Sequence, residues 1–473
     1  MNEGETNLDN GENVNILKCR DDPKPVFFEP RAGDESLCLF LREGSVCFWA
    51  KADEKIGPDK LRPRIEPWLT ALCQSEHLSL LLGSGLSNSI HRIASDELLP
   101  GMSKGDFGDE NEVIQAEAEK SALAAGRGKG NIEDQIRVAN ELLRGLEILG
   151  SMDEKAKTRA DALRTNLDGV LERFAADILG GEQGAINAEV SKREKAFNYL
   201  VSFLMSFASR TGTRDRLHIF TTNYDRFIEA GAETAGLHLL DRFVGSISPI
   251  FRSSRLDLDM HYNPPGIRGE PRYLEGVARF TKLHGSLDWM AYGRNIRRMG
   301  VPLGAADMQP YLTPPGATTS NAMGLMIYPN AAKDRETSFY PYIELFRDLA
   351  AATCRPNHTL VVFGYSFGDE HINRIIEDML TIPSTHLVVM SYDDPLGRIM
   401  KTYERLGRHA QISLLIGNHV GEFQSLVDHY LPKPAIDRTT FRMAELLKSR
   451  WGASQSDPSD ATDLPIVAEG GNA

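Results

Sequence analysis

Residues 218–229 read HIFTTNYDRFIE. An apolar, β-prone start breaks at Thr221-Thr222-Asn223-Tyr224-Asp225, and Phe227 and Ile228 then open a helical pattern. Strand, polar turn and helix together are the repeating unit of an α/β sheet. Side chains at the C-terminal end of a parallel strand project into the crevice where such sheets bind ligands. Two threonines, an amide and a carboxylate therefore stand where a ligand would meet them. A local reading competes, because Asn and Asp are favoured helix caps and Asn223 precedes a helix.

The same grammar recurs elsewhere. In LSLLLGSGLSNSI (78–90) a buried-strand pattern runs into Gly83-Ser84-Gly85. Such a turn lets backbone approach a pyrophosphate at a helix N-terminus. The full dinucleotide fingerprint needs a third glycine at 88, where this chain has Asn88, so the turn alone is also read as a plain strand-to-helix connection. FTKLHGSLDWM (280–290) puts His284 at a strand end, where a neutral imidazole could take a proton. LVVFGYSFGDEHINRII (360–376) puts Gly364, Ser366 and Gly368 after another apolar run, with Asp369 as the cap of the next helix. Four decorated strand ends exceed what packing needs and together outline a crevice.

Further apolar runs at 325–328, 386–391 and 412–416, with helix-like segments in FYPYIELFRDLAAA and HINRIIEDML, complete the pattern. It predicts a Rossmann-like α/β fold: a mostly parallel sheet, helices on both faces, and a large helical insertion at about 105–212. The expected divisions are a disordered N-terminus (1–30), an N-terminal hairpin and lead-in (31–75), the nucleotide-binding domain (76–430), a C-terminal helix (431–451) and a disordered tail (452–473). LCLFLREGSVCFWA reads as the hairpin, with two strands around a Glu-Gly turn.

Composition narrows the function classes. The chain has 473 residues, a net charge of −13 and no apolar run of membrane-spanning length. An acidic, polar start is the opposite of a secretory signal, so a cytoplasmic location is expected. The negative charge argues against nonspecific nucleic-acid binding. Five cysteines (Cys19, Cys38, Cys47, Cys73, Cys354) form no Cys-x-x-Cys pair, so no zinc site or disulfide framework is suggested.

Taken in order, GSGLS, TTNYD, KLHGS and GYSFGDEHIN resemble the sirtuin superfamily. Its corresponding segments are a Gly-Ala-Gly-x-Ser turn, a Thr-Gln-Asn-Ile-Asp strand end, a Leu-His-Gly strand end and a Gly-Thr/Tyr-Ser segment. The wording is most similar to bacterial sirtuin-like domains of antiphage defence systems, the HerA-associated type above all, and NIEDQI (131–136) resembles a short acidic motif of those proteins. The resemblance implies catalytic roles for Asn223 and His284. It implies NAD contacts for Gly83, Ser84, Gly85, Ser87, Thr222, Asp225, Gly364 and Ser366, and an adenosine contact near Ser391 and Asp393.

The chain departs from the deacylase pattern. SNSIHRIASDELL stands where sirtuins have a Gly-Ile-Pro-x-Phe-Arg loop, and residues 285–325 hold no cysteine where deacylases carry their zinc pairs. The resemblance then implies NAD as substrate without zinc: a hydrolase releasing nicotinamide and ADP-ribose, depleting NAD on infection. Two alternatives stay open, a protein deacylase or ADP-ribosyltransferase on the same core, and a non-catalytic module sensing NAD or ADP-ribose. A homo-oligomer, and a HerA-like ATPase or other sensor as partner, are further expectations of the resemblance.

Overall fold

Among the described residues the alternation of strands and helices builds one sheet of ten strands. In chain order these are β1 (Asn15–Lys18), β2 (Val26–Glu29), β3 (Phe40–Leu41), β4 (His77–Leu82), β5 (Leu217–Thr221), β6 (His238–Leu240), β7 (Val277–Lys282), β8 (His358–Phe363), β9 (His386–Ser391) and β10 (Ile412–Ile416). The computed structural model describes residues 14–30, 38–99, 104–124, 129–209, 215–262, 272–292, 294–312 and 340–433. Across the sheet the order is β3-β2-β1-β10-β9-β8-β4-β5-β7-β6. Every pair from β10 to β6 is parallel; β1, β2 and β3 are antiparallel additions.

The six longer parallel strands, in chain order β4, β5, β7, β8, β9 and β10, lie in the order 3-2-1-4-5-6 of a doubly wound fold. The chain reverses direction across the sheet between β4 and β8, and ligands bind at that switch. Register sharpens this. Phe363, Leu82, Thr221 and Lys282 are paired in one row across β8, β4, β5 and β7. The four motif-bearing turns therefore leave the sheet side by side.

Strand composition explains the two-sided burial. LSLLL and LVVF bury every side chain, as strands covered on both faces must. Alternate residues go to opposite faces. Leu80, Leu82, Val361 and Phe363 pack with α1 (Pro58–Cys73), α2 (Ser84–Ser95) and α6 (Val190–Ala208), through Ile65, Ile90 and Phe203. Leu81, Leu360 and Val362 pack with α8 (Tyr342–Thr353), α9 (Glu370–Leu380) and α10 (Arg398–Leu406), through Leu345, Ile376 and Met400. Each fully buried Phe or Leu contributes about 1.5–3 kcal/mol.

Between β4 and β5 lie α3 (Asn111–Ala124), α4 (Ile132–Gly150) and α5 (Glu154–Ile186), whose apolar stripes make a third core with Tyr224 and Leu287. α6 falls within the expected insertion range but covers the main sheet: Phe203 stacks near Phe363 and Phe423. The insertion proper is therefore the α3–α5 bundle. The helix α7 (Phe227–Thr234) follows β5.

Several expectations need correction. The N-terminal 30 residues are not all disordered. The short apolar runs NILK and VFFE pair as β1 and β2, and buried Asn15 accepts the backbone N–H groups of His419 (2.9 Å) and Val420 (3.2 Å). Two four-residue strands inside a polar stretch are too short to register in composition. The expected hairpin does not form either. Phe40–Leu41 pairs with β2, while Val46 and Phe48 stay exposed and Trp49 turns in to donate to Asp22 at 3.0 Å. The edge strand β6 was not foreseen. The strand expected at 325–328 lies outside the described residues, as do all but the first three residues of the 431–451 helix and the whole 452–473 tail. All the strands and helices given ranges above belong to the unit Met1–Pro432. Among the described residues no helix is long and apolar enough to cross a membrane.

Candidate functional site

The switch point is made by two interlocked glycine turns. Gly83 N–H donates to Phe363 O and Gly85 N–H to Gly364 O, both at 3.0 Å. A methyl group on Gly85 would sit 2.6 Å from Gly364 Cα, and one on Gly364 would sit 2.7 Å from Gly85 Cα. Gly364 also has φ +64°, which a side chain resists. These glycines thus serve first to let the β4 and β8 turns touch, a reason distinct from the expected approach to phosphate. Gly364→Ala should cost on the order of 1–3 kcal/mol, readable as a lower urea midpoint at unchanged m-value. An unaltered midpoint would show that the turns are not interlocked.

At the end of β5, Asn223 faces the α2 turn. Its Nδ2 donates to Gly83 O (2.9 Å) and to Ser87 Oγ (2.8 Å), and Ser87 Oγ donates to Asp225 Oδ2 (2.6 Å). Both amide hydrogens are committed, so Oδ1 is the atom left to act as acceptor. The cap reading moves to a different residue: Asp225 Oδ1, not Asn223, accepts Phe227 N–H at the start of α7 (3.2 Å). Thr221 braces the same turn, donating to Leu82 O and accepting Asn223 N–H.

At the end of β7, His284 Nε2 lies 2.9 Å from Asp369 Oδ2. Asp369 caps α9 through its other oxygen, accepting His371 N–H at 3.0 Å. Its backbone N–H donates to the buried Tyr365 hydroxyl, which in turn donates to Asn373 Oδ1. The sequence reading saw Asp369 only as a cap; its place beside His284 required the register of β7 against β8. In the neutral tautomer that donates Nε2–H to the carboxylate, the lone pair lies on Nδ1.

A cavity of about 860 Å³ joins these groups: Ser84, Ser87, Thr222, Asn223, Asp225, His284, Gly364 and Ser366 all line it. A neighbouring cavity of about 200 Å³ shares Ser84, Gly364 and Ser366 and adds Gly85, Ser391 and Asp393. Of the expected residues only Gly83 lines neither; its carbonyl instead holds Asn223. Burial, with the like charge of Asp394, pushes the Asp393 carboxyl up from its ordinary value.

The insertion supplies one wall. NIED is a capping box: Asn131 Oδ1 accepts Asp134 N–H (3.0 Å) and Asp134 Oδ2 accepts Asn131 N–H (3.2 Å). The same residues, with Glu133, line the larger cavity. The Tyr224 hydroxyl reaches Glu133 at 3.5 Å, and burial holds that phenol well above its ordinary pKa. From α10, Arg398, Lys401 and Arg405 also line this cavity. Sequence reasoning missed these cations, although the i, i+3, i+7 spacing marks one helix face. It also missed Lys282. That ammonium is buried under the β5 turn and donates to Asp225 O (2.5 Å), Tyr224 O (3.4 Å) and Glu229 Oε1 (2.9 Å).

Cationic and acidic residues, a helix N-terminus and two glycine turns meet at a doubly wound switch point, the place where α/β domains of this class bind their ligands. Residues 217–414 match the family model described as SIR2-like domain, which supports placing this part of the chain with the sirtuin-like superfamily. Domains of that family are generally NAD-dependent enzymes, and the match is consistent with NAD-related chemistry in this part of the chain. The match takes in Asn223, Asp225, His284, Gly364, Ser366 and Asp369; the α2 turn and the insertion precede it. No curated protein matches the chain.

Proposed function

We propose that the chain hydrolyses NAD to nicotinamide and ADP-ribose. The observation that carries this reading is the approach of Asn223 and His284, from neighbouring strands, to one cavity whose far end meets the glycine turns. In the reaction the ribose–nicotinamide bond breaks, its electron pair leaves with the ring nitrogen, and a water oxygen bonds to the sugar carbon. The sugar passes through a state resembling an oxocarbenium ion. Asn223 Oδ1 accepts from the incoming water and orients it. His284 Nδ1 takes the proton released at a ribose hydroxyl or the water, and Asp369 stabilises the imidazolium that forms. Asp225 receives the nicotinamide carboxamide through the lone pairs left beside Ser87 and Phe227. The cations of α10 face the pyrophosphate.

Water as acceptor is supported by the cysteine-free stretch 285–325 and by the insertion wall of Asn131, Glu133 and Asp134. By its resemblance the chain acts in antiphage defence as a homo-oligomer, beside a HerA-like ATPase or another sensor. Chromatography of NAD incubated with the assembled protein tests the chemistry. Nicotinamide and ADP-ribose should appear in equal amounts without any acylated peptide. Strict dependence on an acyl-lysine peptide would assign the core to protein deacylation instead.

A further inference from the structure

Behind the β5 turn lies a second cavity of about 500 Å³, between α7, β7 and the small antiparallel sheet that carries Trp289. It does not share the crevice described above. Four cations line it, and each already has a carboxylate: Arg226 with Glu182, Lys282 with Glu229, Arg298 with Asp241 and Arg242 with Asp348. Asp288 is in none of these pairs. It is only 7% exposed, it lines the cavity, and among the described residues its Oδ1 has no hydrogen-bond partner. Glu229 Oε2, also in the lining, is likewise unpartnered among the described residues. A buried carboxylate oxygen without a hydrogen-bond partner is costly and marks a site that is completed by something else.

Among the described residues two donors also lack acceptors there, Arg242 Nη1 and Arg298 Nε, and Arg242 too is only 7% exposed. The walls are aromatic. Trp289 packs against Phe243 with centroids 4.9 Å apart, and the Arg298 guanidinium already sits 4.4 Å over the Phe243 ring. Such faces favour organic cations. Among the described residues no group of three His, Cys, Asp or Glu stands close enough to hold a metal ion.

We propose that this cavity binds an organic cation of the guanidinium or ammonium class that also carries a hydrogen-bond acceptor, with Asp288 and Glu229 Oε2 taking the cation and Arg242 and Arg298 the acceptor. Glu229 connects the site to the crevice. Its other oxygen holds Lys282, whose ammonium holds the carbonyls of Tyr224 and Asp225. Burial, and then the like charge of Asp288, push the Glu229 carboxyl up, against the pull of Lys282. A bound cation reverses that pressure and keeps Lys282 seated under the catalytic turn. This coupling rests on the proposed NAD chemistry; the binding does not.

The test is calorimetry of the full chain with L-arginine, with agmatine as the analogue lacking the carboxylate and L-glutamate as the control. L-arginine should bind saturably, agmatine more weakly and L-glutamate not at all. Asp288→Asn should weaken L-arginine at least about tenfold, a difference of 1.4 kcal/mol. Glu229→Gln, on a more exposed side chain, repeats the test if the first variant does not fold. Asn223→Ala should bind L-arginine as the native chain does, which separates this site from the fate of the NAD reading. Glycyl-arginyl-glycine amide, compared with L-arginine, tells a partner protein's side chain from a free metabolite; tighter binding of either keeps the site. No saturable L-arginine binding to the folded chain, or equal binding by both carboxylate variants, overturns the proposal.

Discussion

Asn223→Ala is expected to remove nearly all NAD cleavage while leaving the chain folded. Losing one group that places a nucleophile or meets developing charge commonly costs on the order of a hundredfold or more in rate. The structural loss is smaller and can be located. Gly83 O and Ser87 Oγ each lose the Nδ2 donor, a penalty of roughly 1–3 kcal/mol for such a buried group. The α7 cap survives, because Asp225 and not Asn223 accepts Phe227 N–H. His284→Ala should lower turnover as far, with KM for NAD little changed, since its contribution is expected mainly in the transition state. Asp369 keeps its bond to His371 N–H in that variant, so α9 stays capped. The measurement is NAD loss and melting temperature for both variants, in an assembly whose native form is active. Full activity in both would retire Asn223 and His284 as catalytic groups. A fall in melting temperature with unchanged turnover would make Asn223 a structural amide.

How much of this was legible in the sequence depends on range. β4, β5, β7, β8, β9 and β10 were visible because buried parallel strands read as short apolar runs, and their turns carry glycine or amide residues that local backbone geometry demands. The crevice could be outlined because four such turns must share one sheet edge. The connections that hold it were hidden. Lys282 looks like an ordinary polar residue before LHG; only the register of β7 beside β5 puts its ammonium under two carbonyls of the neighbouring turn. Asp369 reads as a cap, and it is one, but its second oxygen meets a histidine 85 residues away. β1 and β2 were lost because eight pairing residues inside a polar stretch barely change its composition. α6 was assigned to the insertion because periodicity reports an amphipathic helix and not which layer it covers.

The same argument identifies the ion pair that locks the insertion to the site, and with it the largest stability effect expected. Arg226 is the last residue of the TTNYDR turn; Glu182 lies far along α5 and is fully buried. Glu182 Oε1 accepts the backbone N–H of Arg226 (2.8 Å) and its Nε (3.1 Å), and Oε2 accepts Nη2 (2.5 Å). The guanidinium also donates to the carbonyls of Val301 and Pro302. Arginine stays charged at any working pH, so it cannot escape by losing its proton. Glu182→Ala therefore leaves a buried cation unpaired and should cost about 3–5 kcal/mol. Burial pushes the Glu182 carboxyl up even with Arg226 beside it, so the pair holds position more than it adds net stability. Glu182→Gln keeps one acceptor and should lose less. Replacing both residues with apolar ones should recover part of the stability of Glu182→Ala, because no charge is then left unmatched. Chemical denaturation of the three variants separates these cases. If Glu182→Ala unfolds at the native denaturant midpoint, the pair is not what ties α5 to the catalytic turn. If the apolar double variant regains stability but not affinity for NAD, the charge pair acts by aiming the TTNYD backbone at the crevice.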